Sequence, residues 1–150
     1  MDDYPLPKNK DGVHYHRHFA KLKLDKSYAT HISFVELLDI PTMGKTDEKI
    51  FFELLNPKHL AWLDKIFLDG AERAVFLSNS VIAKMKNKQC KGYFDWLPKK
   101  VDNKGFIKKV GNKSFYKYSH FSAYQIHSEI DEIKKIVLNT CSQQMLTGCS

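Results

Sequence analysis

Half of the lysines in this sequence crowd into one stretch. Residues 84–117 hold eleven: Lys84, Lys86, Lys88, Lys91, Lys99, Lys100, Lys104, Lys108, Lys109, Lys113 and Lys117, against only Asp95 and Asp102, a net of +9. The rest of the chain carries 13 basic and 15 acidic residues, a balance of −2. Like charges at that density oppose a compact fold, so a polyanion is the natural partner to expect. A solvated lysine-rich face is the plain alternative. His14, His16 and His18 alternate, and on a strand all three imidazoles would share one face, as in a zinc site. No carboxylate or thiol is placed to complete that site, so solvated histidines are expected, and neither a metal nor a cofactor. Gly44-Lys45-Thr46 matches the end of a phosphate-binding loop, but Asp39 stands where the upstream glycine belongs, which argues against nucleotide hydrolysis.

The elements that must position these groups can be read from patterning. The 150 residues suit one domain, and 43% hydrophobic with 27% charged composition supports a packed core. No apolar run reaches the roughly 20 residues of a membrane span. An acidic start and three cysteines without a CxxC pair suggest a reduced, cytoplasmic protein. Residues 1–18 read as a flexible segment, and Phe19 to Leu24 alternate in strand fashion, with a helix start as the alternative. Ala29, Ile32, Val35 and Leu38 predict a helix over 27–38, broken by Pro41 and Gly44. Thr46 is the expected cap of the next helix, which Asn56-Pro57 stops. A further helix over 58–68 buries Leu60, Leu63 and Phe67.

In the second half, Val75-Phe76-Leu77 suits a short strand, and Ser78 can cap a helix over 79–87 with Ile82, Ala83 and Met85 inward. Phe94, Leu97 and Val101 predict a helix over about 90–103, kinked or delayed by Pro98. Phe106 and Ile107 are expected in the core. Phe106 to Val110 and Ser114 to Tyr118, joined by Gly111-Asn112-Lys113, form a hairpin signal. Ile126, Ile130, Ile133 and Val137 mark an amphipathic C-terminal helix within 125–150. It is expected to pack on the domain's own core, with pairing of two copies as the alternative.

Strand, helix, turn, helix and basic hairpin is the order of a winged helix-turn-helix. Such a domain lays its second helix in the major groove while the hairpin wing reaches phosphates. The opening Val75 to Met85 and the run Lys104-Gly105-Phe106-Ile107-Lys108-Lys109-Val110-Gly111 through Tyr118 resemble winged-helix proteins, and the set is similar to RepL-type plasmid replication proteins and related phage proteins. The expected fold is therefore mainly α (α+β): a three-helix core with a C-terminal β-hairpin wing plus an extra terminal helix. The domain would span 19–124, with the helix-turn-helix at about 75–104 and the wing at about 105–118. The resemblance implies sequence-specific binding of double-stranded DNA in replication initiation, replication control or transcription regulation, without catalysis, beside host replication machinery and as a possible homodimer. The expected DNA-binding residues are Lys88, Gln89, Lys91, Tyr93, Lys99, Lys104, Lys108, Lys109, Lys113 and Lys117.

A second reading rests on His31-Ile32-Ser33 and His120-Phe121-Ser122, which resemble the H-x-[ST] pairs of two-histidine phosphoesterases. That resemblance implies acid and base roles for His31 and His120, and phosphate contacts from Ser33 and Ser122. The substrates would be oligonucleotides or cyclic nucleotides. The helical spacing around Ile32 and Val35 opposes the strand this chemistry needs, so DNA binding is the first expectation.

Overall fold

The computed structural model describes residues 13–38 and 47–147. The expected Thr46 cap, the breakers Pro41 and Gly44, the Gly44-Lys45-Thr46 motif and residues 1–12 lie outside those residues. The first element is a helix, α1 (Val13–Ala20), followed by a 3-10 turn at Lys26–His31. Next come α2 (Glu48–Glu53) and α3 (Pro57–Leu68). Strand β1 (Arg73–Leu77) leads into α4 (Asn79–Met85) and a 3-10 turn at Lys88–Cys90. The hairpin β2 (Gly105–Val110) and β3 (Lys113–Lys117) follows, then a 3-10 turn at Tyr124–Ser128 and the long α5 (Ile130–Thr147). The architecture is α+β. No helix among the described residues is long and apolar enough to cross a membrane.

Local chemistry explains most of these starts. Asp47 caps α2 by accepting from the Lys49 N–H at 2.9 Å. Asn56 caps α3 by accepting from Lys58 N–H at 3.0 Å, and Pro57 is the first helical residue, where its missing N–H costs nothing. The Asn56-Pro57 pair thus opens a helix as well as closing one. Ser78 caps α4 as expected, accepting from Val81 N–H at 3.4 Å.

The sheet order is β1-β3-β2, with β3 antiparallel to β2 and parallel to β1. Because side chains alternate along a strand, β3 feeds two separate cores. Its Phe115, with Leu77 of β1, joins Leu60, Leu63 and Phe67 of α3 and Ile82 and Met85 of α4. On the opposite face Tyr116 and Phe76 pack against the cluster of Phe19, Leu22, Ile126, Ile130 and Ile133. The sheet is therefore a middle layer between α3/α4 and α1/α5. Ile126, Ile130, Ile133 and Val137 of the C-terminal stripe are spent inside the chain, as expected.

Four expectations fail, each for a physical reason. Residues 13–18 are helical, not flexible, because His18 and Phe19 are buried under the second core. The same helix replaces the expected strand at Phe19, and Leu22 and Leu24 enter the core from irregular backbone with Lys23 at φ +48°. The helix over 27–38 is only the turn at Lys26–His31, after which Ile32 is extended. Ile32 packs on the second core and Leu37 on the first, a division that one helical face could not serve.

The helix expected over 90–103 is also absent. After the turn at Lys88–Cys90 the chain runs without regular structure to β2, with Gly92 at φ +89° and Phe94 at φ +59°. Left-handed backbone at two positions so close together ends any α-helix. The path is held by its side chains instead: Cys90, Phe94 and Leu97 are buried. Asp64 of α3 accepts from Phe94 N–H at 3.2 Å and from Trp96 Nε1–H at 3.0 Å.

Candidate nucleic-acid interface

The lysines of residues 84–117 divide by burial: eight are exposed, Lys84 and Lys117 are half-buried, and Lys113 is buried. Lys113 was expected at the tip of the wing. It is instead completely buried, with its ammonium donating to the carboxylate and carbonyl of Asp69 and to the Ala71 carbonyl at 3.0 Å. The Lys113 ammonium, then the Ala71 N–H, holds the Asp69 carboxyl below its ordinary range. Asn112 beside it donates to Gly70 O at 2.9 Å, and Arg73 N–H donates to Asn112 O at 3.3 Å. The hairpin tip is thus tied to the α3–β1 connection and does not project. Lys113 has no ammonium left to offer a phosphate.

Two further lysines brace the structure. Lys117 donates to Val101 O at 2.9 Å and Asp102 O at 3.4 Å, fastening the irregular segment to β3. Lys104 lies 2.6 Å from the buried carboxylate of Glu129, which also accepts from Ser119 N–H at 2.8 Å and Ser119 Oγ–H at 3.1 Å. Tyr93 is half-buried against the first core.

Lys88, Gln89 and Lys91 remain exposed on the turn and path after α4. Lys86, Lys99 and Lys100, with Asn79 and Ala83 of α4, line a shallow hollow of about 250 Å³. Lys86 donates to the Lys99 carbonyl, which fixes one wall of that hollow. Ala83 was expected inward and is exposed here. Arg73, Asn79, Lys86 and Lys100 were missed as individual site residues. Lys86 and Lys100 carried a signal in the charge cluster, whereas Asn79 and Arg73 carried none.

Lys108 and Lys109 part company, because successive strand residues face opposite ways. Lys108 pairs across the ribbon with Phe115, and its ammonium reaches Trp96 O at 3.4 Å on the α3 side. Lys109 pairs with Ser114 and lines a cleft against α5. Phe106, expected in the core, is instead 61% exposed on the edge strand, beside an irregularity between Phe106 and Lys108. Lysines on β2, an edge strand, also guard against strand-to-strand association.

The two H-x-[ST] motifs sit in turns, not on strands. His31 ends a 3-10 turn and Ser33 follows in irregular backbone, both exposed. His120 Nδ1 lies 2.5 Å from Ser122 Oγ and accepts from Ser122 N–H at 3.2 Å, so this serine is spent on its own histidine. The two segments approach each other through an aromatic cluster, with the Tyr15 ring 5.1 Å from His120 and 5.8 Å from Phe34. Desolvation, then Lys84, lowers the His120 pKa, although the ring keeps an exposed edge. His14, His16 and His18 fall on the helix α1 rather than on a strand, so the alternation that would put all three on one strand face does not apply, and no group of three or more metal-ligating side chains occurs among the described residues. No family model, curated protein or solved structure matches the chain.

Proposed function

We propose that this chain binds double-stranded DNA mainly through its phosphates, using the surface formed by α4, the path over 86–100 and the outer side of β2. Lys86, Lys88, Gln89, Lys91, Lys99, Lys100 and Lys108 make the grip. The observation that carries this reading is the imbalance of exposed charge on this surface: six exposed lysines (Lys86, Lys88, Lys91, Lys99, Lys100 and Lys108) against Asp95 and Asp102. Such a surface gains affinity by releasing counterions from the duplex. The element order α3-β1-α4, irregular path, β2-β3 supports a winged-helix derivative in which a side-chain-anchored path takes the place of a recognition helix. Base-edge readout by a helix in the major groove then contributes little, and α4 is the one helix in the surface. A cytoplasmic role in plasmid or phage replication control follows from the resemblance of 75–85 and 101–118.

The test is the salt dependence of duplex binding, read by fluorescence anisotropy on a labelled duplex. Each phosphate contact contributes about 0.9 to the slope of log affinity against log salt. Replacing Lys88, Lys91, Lys99 and Lys100 together by alanine flattens that slope by about 3.6 units if each lysine holds one phosphate. Duplex binding that is absent, or unaltered by salt and by this variant, overturns the proposal.

A further inference from the structure

A second cavity opens on the other side of the sheet. It is a cleft of about 330 Å³ between the hairpin and α5, lined among others by Arg73, Lys109, Ser114, Tyr116, Asn139 and Thr140. Its size is at the small end of ligand pockets. Its chemistry suits a phosphate: two cations, three hydroxyls and two amides surround one hollow, with the Glu72 carboxylate at its lining as well. Thr140 Oγ1–H already donates to Ile136 O at 2.8 Å, which fixes the hydroxyl's lone pairs, while Lys109 and Ser114 are register partners and so stand side by side.

The same sheet face carries an aromatic with no place in the core. Phe106 is 61% exposed and is the register partner of Tyr116, their rings 5.8 Å apart and near perpendicular. Tyr116 is itself stacked on Phe76 at 5.5 Å, so the support beneath Phe106 is rigid. Tyr116 therefore joins an exposed aromatic platform to a polar, cationic cleft. Their register partners Tyr116 and Ser114 are two residues apart on β3, so the irregularity in β2 brings Phe106 and Lys109 to one face with their backbones about 7 Å apart, a separation that suits one nucleotide.

We infer that this face binds a nucleotide, with its phosphate monoester in the cleft at Lys109 and Arg73 and its base stacked on Phe106. The site lies across the sheet from the proposed duplex surface and does not depend on it. Such a nucleotide is either free or the 5′-phosphorylated end of a single strand, and both present the same chemistry.

Isothermal titration calorimetry of the full chain tests this with adenosine 5′-monophosphate, ribose 5-phosphate and short single-stranded oligonucleotides bearing 5′-phosphate or 5′-hydroxyl ends. Phe106→Ala is expected to weaken the mononucleotide by at least about fivefold, the scale of one base–aromatic stack, and to leave ribose 5-phosphate unchanged. Lys109→Met is expected to weaken both. Both side chains are exposed, so neither substitution disturbs a core. The Lys99→Ala, Lys100→Ala double variant is expected to leave nucleotide binding intact, which separates this site from duplex binding. If only the 5′-phosphorylated strand binds, with the same variant pattern, the site stands and the strand end is its source. If neither ligand class binds, or the Phe106 and Lys109 variants leave affinity unchanged, the site is refuted.

Discussion

Lys113→Met separates a structural lysine from a DNA-binding one. The wild-type ammonium is fully buried and serves three acceptors: the Asp69 carboxylate and carbonyl, and the Ala71 carbonyl. Methionine keeps most of the apolar stem and removes the charge and all three bonds. Breaking a buried ion pair costs about 3–5 kcal/mol when the remaining charge is trapped. Here the Asp69 side chain is 41% exposed and regains water, so that part is discounted. The two carbonyls lose a partner at about 1 kcal/mol each, and more where water cannot reach them. The expected loss is therefore about 2–4 kcal/mol, and for a chain of this size the melting temperature falls by roughly 5–15 °C. Thermal unfolding followed by far-ultraviolet circular dichroism measures it. Duplex affinity, taken at a temperature where the variant is still folded, keeps its wild-type salt slope. An unfolding midpoint within about a degree of wild type, together with a slope reduced by about 0.9, would show that Lys113 holds a phosphate, and the whole division of lysines by burial would fall with it. Asp69→Asn checks the same contact by pH. Because the Asp69 carboxyl is held below its ordinary range, its contribution is present above that range and is lost as acid titrates the folded protein. The stability gap between wild type and Asp69→Asn accordingly closes as pH falls.

Two other predictions concern stability. Desolvation lowers the pKa of His120 and of His127, assisted by Lys84 and by Lys21 with His18 respectively. The unfolded chain then binds more protons than the folded one below an ordinary histidine value of about 6.5, so stability declines as pH falls from 7.5 to 5. Urea unfolding across that range measures the decline, and His120→Gln with His127→Gln makes it shallower; an unchanged midpoint counts against the packing around both rings. Ile133 is 2% exposed in the second core, so Ile133→Ala costs about 2–4 kcal/mol without altering solution mass. Light scattering that shows a dimer in wild type and a monomer in this variant would place the α5 stripe between two copies instead.

What patterning made legible is what local chemistry decides alone. The α3 face of Leu60, Leu63 and Phe67, the Ser78 cap, the hairpin turn at Gly111-Asn112 and the α5 stripe each follow from spacing or from one capping side chain. Residues 90–103 looked helical because Phe94, Leu97 and Val101 have helical spacing. Yet Cys90, Phe94 and Leu97 reach the core from backbone whose turns at Gly92 and Phe94 are fixed by Asp64, thirty residues upstream of Phe94. A partner that distant leaves no local trace. The parallel pairing of β1 with β3 is equally non-local, as is the place of β2 at the sheet edge, which leaves Phe106 exposed. In the candidate site the charge was legible and the assignment of each lysine was not. The duty of Lys113 is set by Asp69 and that of Lys104 by Glu129, and neither carboxylate is near its lysine in sequence.

The charge cluster also answers the objection that self-repulsion should unfold it. The segment that carries +9 in sequence does not present +9 to solvent. Lys113 and Lys104 are neutralised by carboxylates outside the segment, and Lys117 is surrounded by carbonyl oxygens. The strand alternation then sends Lys108 and Lys109 to opposite sides of the sheet, where the middle layer keeps them apart. Repulsion is thus relieved by geometry at the same positions that stitch the irregular path and the hairpin tip to the rest of the fold. What stays on the α4 side is a smaller set, held on backbone anchored by buried residues, so that only the side chains are free to move apart. An array of exposed ammonium groups that outnumbers the carboxylates beside it, and that makes none of the ion pairs seen among the described residues, is relieved most directly by an external polyanion, and that is the physical reason for reading this surface as an interface.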